Sequence, residues 1–487
     1  MADPGIVIIG AGFSGVCMAI KLKEAGHHDF VVLEKAADHG GTWRDNTYPG
    51  CACDVPSPLY SFSFEPNPGW SRMFSPQPEI WEYLRHCVRR YDLAAHLRFG
   101  TEVTGLEYDD ATRRWRVTTS GGETIHANAV ISGTGALHVP SLPSLPGHET
   151  FTGPAFHSAR WDHASDLTGR RVAVIGTGAS AVQFVPEIAK IAAEVHVYQR
   201  TPPWVQPRPD FAFSPRAKAV LRALPPARKA LRAGIYWLLE ARALGFTVDP
   251  RLMESQRQVA LRHLARQVPD PDLRARLTPS YTIGCKRILL SNDYYRALTR
   301  DSVTLVTDGI ARVTPSSIID DTGAERPADV IVYGTGFRVT DALADRHITG
   351  SGGLKIQDTW RDGVSAHLGV TVAGFPNLFL LLGPNTGLGH TSVLLMIEAQ
   401  VHYVLECLRL LSRTGARALD VRPEAQAAYD RGVQRRLRRR VWSRGGCDSW
   451  YLDRDGRNST IWPGFTFEYV ARTRRVRARD YRLIAAP

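Results

Sequence analysis

The sequence predicts an α/β protein in which two βαβ nucleotide-binding units are nested, the inner one carrying a helical insertion. Three observations predict it. Two segments, GIVIIGAGFSGVCMAIKLKEAGHHDFVVLEK from Gly5 and RRVAVIGTGASAVQFVPEIAKIAAEVHVYQR from Arg170, both read as strand, glycine-rich turn, helix and second strand. Each is followed by an apolar strand closed by Gly-Thr-Gly, AVISGTG ending at Gly135 and DVIVYGTG ending at Gly336. Between about 211 and 280 the pattern turns helical and rich in Arg, Ala and Leu.

In chain order, the first apolar run leads into Gly10-x-Gly12-x-x-Gly15, then a stretch of helical period, then the strand Phe30 to Leu33 closed by Glu34. Such glycines permit a tight turn, let backbone amides reach a pyrophosphate and allow helix to pack on strand. An acid at the end of the second strand suits the ribose hydroxyls of an adenosine. The second loop is Gly176-x-Gly178-x-x-Ala181, and Arg200, with Thr201 beside it, lies 24 residues after Gly176, as Glu34 lies 24 after Gly10. A guanidinium binds a 2′-phosphate that a carboxylate repels. The first site therefore suits FAD and the second NADPH. The expected architecture is two nested Rossmann-like dinucleotide-binding domains. The FAD domain spans 1–140 and 340–487, and the NADPH domain 150–339, with the insertion at about 211–280.

A chain of 487 residues is long for a single core, and 44% hydrophobic with 22% charged residues is an ordinary globular balance. No stretch reaches the roughly 18 apolar residues of a membrane span. The start, MADPGIVIIGAG, enters a strand at once, which leaves no room for a signal peptide and argues for the cytoplasm. The net charge of +12 favours anionic partners, but its densest run, RRLRRRVW at 435–442, reads as a solvated helix face rather than a nucleic-acid site. In the insertion, ARKALRAGIYWLLEARALGF admits three readings: a weak amphipathic membrane-surface contact, a cover for a substrate cleft, or plain packing. The seven cysteines show neither zinc nor thioredoxin spacing and are all expected to be reduced thiols, and no metal site is expected.

FAD and NADPH together leave a disulfide reductase, an electron-transfer reductase or a flavin monooxygenase. Cys51-Ala-Cys53 lacks the spacing of the first, and no iron–sulfur or haem ligand set supports the second. Oxygen chemistry is the reading that remains.

Two further segments carry a resemblance. FTGPAFHSARWD, with Phe151, Gly153, His157, Trp161 and Asp162, fits the pattern FxGxxxHxxxW followed by Pro or Asp, and GGTWRDNTYPGCACD runs from Gly40 to Asp54. Both resemble the signatures of type I Baeyer–Villiger monooxygenases, and with the glycine loops the resemblance covers nearly the whole chain. GPNTGLGHTSVLLMIEAQ and SWYLDRDGRNSTIWPG look most like the hydroxyacetophenone-oxidising branch.

The resemblance implies that NADPH reduces FAD, O2 adds to give a C4a-peroxyflavin, and this attacks an apolar ketone to give an ester or lactone. It implies that Arg287, in CKRILLSNDYY, is the catalytic cation, that Asp54 positions it, and that Lys286 adds a contact to the NADPH 2′-phosphate. Trp450 would contact NADP⁺, Thr42 and Trp43 the flavin domain's cofactor, and His390 and Thr391 the flavin's edge. His157 and Trp161 would couple domain movement to cofactor handling. The alternatives are an N- or S-oxygenating flavin monooxygenase and a non-oxygenating NADPH oxidase.

Overall fold

The computed structural model describes residues 3–339, 347–453 and 455–486. Two five-stranded parallel sheets organise it. The first runs Leu378–Leu380, Ala129–Ser132, Ile6–Ile9, Phe30–Leu33, Leu97–Arg98, and the second Val303–Val306, Glu194–Tyr198, Arg171–Ile175, Val330–Tyr333, Ala155–His157. Their central strands are apolar runs because a parallel sheet is covered on both faces: all four residues of Ile6–Ile9 and of Val330–Tyr333 are buried.

The two sheets are built alike down to single hydrogen bonds. Gly10 N donates to Leu33 O (2.8 Å) and Gly133 N to Ile9 O (2.8 Å), while Gly176 N donates to Tyr198 O (3.0 Å) and Gly334 N to Ile175 O (2.8 Å). Gly10 and Gly176 have φ of 95° and 104°, and a Cβ on either would lie 2.8 or 2.6 Å from the carbonyl oxygen of Gly133 or Gly334. Only glycine fits those two turns. Each turn feeds a helix, Phe13–Glu24 or Ala179–Ile188.

The ladders correct one count. Ile9 pairs with Leu33, and Ile175 with Tyr198. Glu34 N and Gln199 N then donate alike to the next strand, at Arg98 O (2.9 Å) and Val306 O (2.8 Å). The residue equivalent to Glu34 is therefore Gln199, and Arg200 lies one position further on, because the second unit is one residue shorter between glycine and strand.

The meander Val103–Asp109, Arg114–Thr119, Thr124–Ala127 covers the first sheet, pinned by Trp115 Nε1 donating to Pro376 O at 2.7 Å. The insertion forms helices Pro215–Ala223, Pro225–Thr247, Glu254–Gln267 and Pro271–Arg276. Its long helix packs inward through Arg232, which donates to Pro58 O (2.8 Å), and through Glu240. The return to the first sheet, expected at 340, begins outside the described residues. Among the described residues no helix is long and apolar enough to cross a membrane.

The expectation of seven reduced thiols is overturned. Cys285 and Cys447 form a disulfide, with Cα atoms 6.1 Å apart and a sequence separation of 162, and Cys17, Cys51, Cys53, Cys87 and Cys407 are free and buried. The sequence hid the pair because chain distance says nothing about which loops the fold brings together.

Candidate active site

A cavity of about 1240 Å³ opens at the carboxyl ends of both sheets, where doubly wound folds bind their ligands. Gly10, Gly12, Gly176 and Gly178 all stand in its wall. Neither helix has an acid in its first turn or a side chain capping its first amides, so two positive helix ends face the same space. A Cβ on Gly12 would meet nothing nearer than Gly41 Cα at 3.7 Å, so its open side is cavity. Gly15 and Ala181 are not in the wall. A Cβ on Gly15 would come 1.8 Å from Gly10 O, so this third glycine serves helix–strand packing, whereas Ala181 fits its place and is fully buried.

Glu34 is buried at the cavity edge; its Oε2 accepts from Ala11 N (2.8 Å) and its Oε1 from Ala36 N (3.0 Å) and Arg44 Nη1 (3.0 Å). Arg200 is its opposite in setting as well as sign, with a side chain 84% exposed and Nη2 3.5 Å from Asp448 Oδ2. Thr201 and Lys286 stand in the same wall. Burial, and then Arg200, hold the Lys286 ammonium below the usual lysine range, with Asp448 opposing.

Arg287 and Asp54 meet in this wall as a two-pronged pair, Nε to Oδ2 at 2.6 Å and Nη2 to Oδ1 at 2.7 Å. Burial alone would raise the Asp54 carboxyl, but the guanidinium outweighs it and holds Asp54 below the usual carboxylate range. Asp54 in turn raises Arg287, which stays a fixed cation. The loop bearing Arg287 is set by Gly284 (φ 91°) and by Thr282 N donating to Gly445 O at 2.9 Å.

Thr42, Trp43, Thr391 and Trp450 also line the cavity, with Trp43 Nε1 donating to Tyr60 OH at 3.0 Å. His390 does not. It is turned away and buried, with Nε2 3.2 Å from Glu240 Oε2, and Glu240 also accepts from Thr466 N (2.5 Å). Burial pushes the Glu240 carboxyl up, but His390 and Thr466 outweigh it and leave it lowered.

The segment 151–162 lies outside the wall. Phe151 packs beside Gly153, where a Cβ would come 2.3 Å from Asp329 O. His157 ends the edge strand of the second sheet, and its Nδ1 accepts from Ala159 N at 3.1 Å. Trp161 packs against Phe156 and Phe184 (5.2 and 5.5 Å between rings), and Asp162 accepts from Ala164 N and Ser165 Oγ.

Sequence reasoning missed several residues here. Gln183 joins the two sheets' loops: its Oε1 accepts from Tyr48 OH (3.0 Å) and Ala52 N (3.3 Å), and its Nε2 donates to Ala52 O (3.0 Å). Tyr451 is buried in the wall, its hydroxyl pushed up to about 12 by burial against the pull of Arg287. Thr391 Oγ1, Ser459 Oγ and Thr460 Oγ1 are buried hydroxyls in the wall with no hydrogen-bond partner among the described residues, as expected where a polar ring system is to be held. Of these, the sequence marked only Thr391; adjacency to Trp450 could have pointed to Tyr451, but nothing marked Gln183, Ser459 or Thr460.

A family profile described as Pyridine nucleotide-disulphide oxidoreductase matches residues 7–232. The chain is 50% identical, over 99% of its length and 92% of the relative's, to a protein of Pseudomonas aeruginosa named Baeyer-Villiger monooxygenase. Among solved structures it is similar to OTEMO in complex with FAD and NADP, with a TM-score of 0.89 and 28% identity over 99% of this chain and 100% of that one. It is similar also to cyclohexanone monooxygenase from Rhodococcus sp. Phi1 bound to NADP⁺, with a TM-score of 0.87 and 29% identity over the whole of both chains.

Proposed function

The chain belongs to the Baeyer–Villiger monooxygenases, and from that premise we propose how its own residues divide the work. It is a flavoprotein monooxygenase that uses FAD, NADPH and O2 to insert an oxygen atom next to a ketone carbonyl, giving an ester or lactone. When bound, FAD supplies two-electron acceptance from NADPH and the activation of O2. The helix end at Gly12, the Glu34 carboxylate and the unpaired Thr391, Ser459 and Thr460 hydroxyls suit that group. In this reading residues 1–140 and 340–487 hold FAD, and 150–339 hold NADPH.

Arg287 carries the chemistry assigned to the protein. Its guanidinium keeps its proton in the cavity and stabilises the negative charge that develops on oxygen as the carbonyl is attacked. Asp54 fixes the plane of that guanidinium and balances its charge, while Arg200 and Lys286 take the 2′-phosphate of NADPH. The single observation that carries this reading is the Arg287–Asp54 pair in a wall shared by both glycine loops. The substrate is an apolar ketone, and aryl ketones are the class to try first, given the resemblance of the C-terminal segments to the hydroxyacetophenone-oxidising branch.

The test is a product assay across aryl, cyclic and linear ketones under ¹⁸O₂. Ester or lactone carrying one labelled oxygen is expected; N- or S-oxide alone, or hydrogen peroxide alone, overturns it.

Two finer readings go with this. We place the enzyme in the cytoplasm, where NADPH is regenerated. A weak contact with an anionic membrane surface is proposed for the exposed side of Pro225–Thr247, a basic helix on which Trp237, Leu238 and Leu244 are exposed. Co-sedimentation with anionic but not neutral vesicles tests it, and no sedimentation with either rejects it.

A further inference from the structure

The Cys285–Cys447 disulfide stands at a place the oxygenation mechanism does not use. Cys285 directly precedes Lys286 and Arg287, and Cys447 directly precedes Asp448, Ser449, Trp450 and Tyr451. All six of those following residues stand in the cavity wall. The bond therefore ties the strip that bears the cations to the strip that closes the same end of the cavity.

The non-covalent ties between the two strips are modest. Thr282 N donates to Gly445 O at 2.9 Å, and Gly445 packs so closely that a Cβ there would lie 2.4 Å from Cys285 Cβ. Beyond Cys447 the strip reaches the second unit through Asp448 and Arg200, a 3.5 Å pair whose side chains are 88% and 84% exposed. An ion pair that open contributes little to holding a loop. Tyr451 anchors the far end of the strip in the buried cluster that holds Cys285, and between Gly445 and Tyr451 the covalent bond is the firm attachment.

We propose that Cys285–Cys447 is a reversible redox modification site that sets how tightly the enzyme closes on NADPH. This rests on the reading of Arg200 and Lys286 as the 2′-phosphate site. With the bond formed, Asp448–Tyr451 are held over that site and binding meets a pre-organised wall. With two thiols the exposed part of the strip, Asp448 and Trp450, loosens while Tyr451 stays packed, and part of the binding energy is spent on ordering it. Five buried free thiols beside one disulfide mark the pair as the exception in this chain, as redox-responsive disulfides of reducing compartments are.

The chemistry closes with reagents of two classes. A small dithiol attacks Cys447 Sγ, on the less buried partner, expels the Cys285 thiolate and then resolves the mixed disulfide. Two electrons and two protons pass to the protein, and the reagent leaves as its own disulfide. Hydrogen peroxide, which NADPH turnover releases whenever it fails to reach a ketone, reverses this. One thiolate is oxidised to a sulfenic acid with loss of water, and the second thiol displaces a second water to reform the bond.

The experiment uses purified holoenzyme. Thiols are counted after denaturation without reductant, and NADPH binding and turnover are measured before and after dithiothreitol. Five thiols are expected, rising to seven. Reduction is expected to raise the KM for NADPH about tenfold while kcat at saturating coenzyme stays within about twofold, with a larger hydrogen peroxide fraction, all reversed by hydrogen peroxide treatment. Cys447→Ser should behave as the reduced enzyme and ignore dithiothreitol. Seven thiols in the untreated protein, or five with an NADPH KM indifferent to reduction, overturns the proposal. NADPH binding is read directly by titration as well, so an enzyme that makes no ester in either state defeats the functional reading without touching this one.

Discussion

The two glycine units are the same device given opposite tasks. Their turns share hydrogen bonds within 0.2 Å and the same left-handed glycine at the first position. They part at the end of the second strand. Glu34 is buried and already held by three donors, Ala11 N, Ala36 N and Arg44 Nη1. In the second unit Gln199 takes that place and donates inward to Arg276 O at 2.9 Å, while Arg200 stands in solvent beside Asp448. A recognition group fixed before its ligand arrives suits a cofactor that stays. One held loosely by an internal carboxylate suits a coenzyme that comes and goes.

The largest way to break the comparison is to fill each cradle. Gly12→Val should give colourless or insoluble protein, because the side chain would enter the open side of the first loop, whereas Gly178→Val should stay yellow and lose NADPH-driven turnover. Flavin absorbance of the two purified variants checks this, and two colourless proteins would show that the units do not divide their ligands. Next in size is the pair that both units face. Arg287→Ala should keep FAD and lose at least about a hundredfold in ester formation, as for removal of an oxyanion donor, with remaining NADPH turnover released as hydrogen peroxide. Asp54→Ala should mainly slow flavin reduction, and the two lesions should be less than additive. Stopped-flow reduction and reoxidation separate the half-reactions, and near-normal ester yield from Arg287→Ala would remove it from the mechanism.

Most of this frame was legible because it is local. Strand, turn, helix and strand follow one another within about thirty residues, and glycine at a left-handed turn has no substitute. The long-range features were not. The 24-residue count put Arg200 on Glu34, yet the ladder puts Gln199 there, since one residue fewer before the strand changes register without leaving a mark in composition. His390 and Thr391 are neighbours in sequence, but only Thr391 reaches the cavity; the partner that draws His390 away, Glu240, is 150 residues distant on the insertion. The disulfide failed for the same reason.

The asymmetry at the strand ends sharpens with Arg200→Ala. Losing charge-assisted bonds to the 2′-phosphate should cost about 1.5–3 kcal/mol, roughly ten- to hundredfold in NADPH affinity, with NADH kinetics almost unmoved. Parallel titration with both coenzymes decides it. An equal loss with both would make Arg200 a support of the fold rather than a reader of the phosphate.

The smallest expected effect tests whether Asp448 is the carboxylate that the phosphate displaces. An exposed pair such as Arg200–Asp448 is worth about 0.2–1 kcal/mol, so Asp448→Asn should tighten NADPH by no more than about fivefold and leave NADH alone. A pH series adds a sign. Burial and Arg200 lower the Lys286 pKa, and Asp448 opposes them. Removing that carboxylate lets Lys286 lose its proton at a lower pH than in the parent enzyme. The advantage of Asp448→Asn should therefore be largest at the low end of the pH series and should shrink as pH rises, because the variant's lysine neutralises before the parent's. If the variant instead binds NADPH more weakly at every pH, Asp448 holds the strip in place rather than competing with the phosphate, and the looseness ascribed to the second unit would have to lie elsewhere.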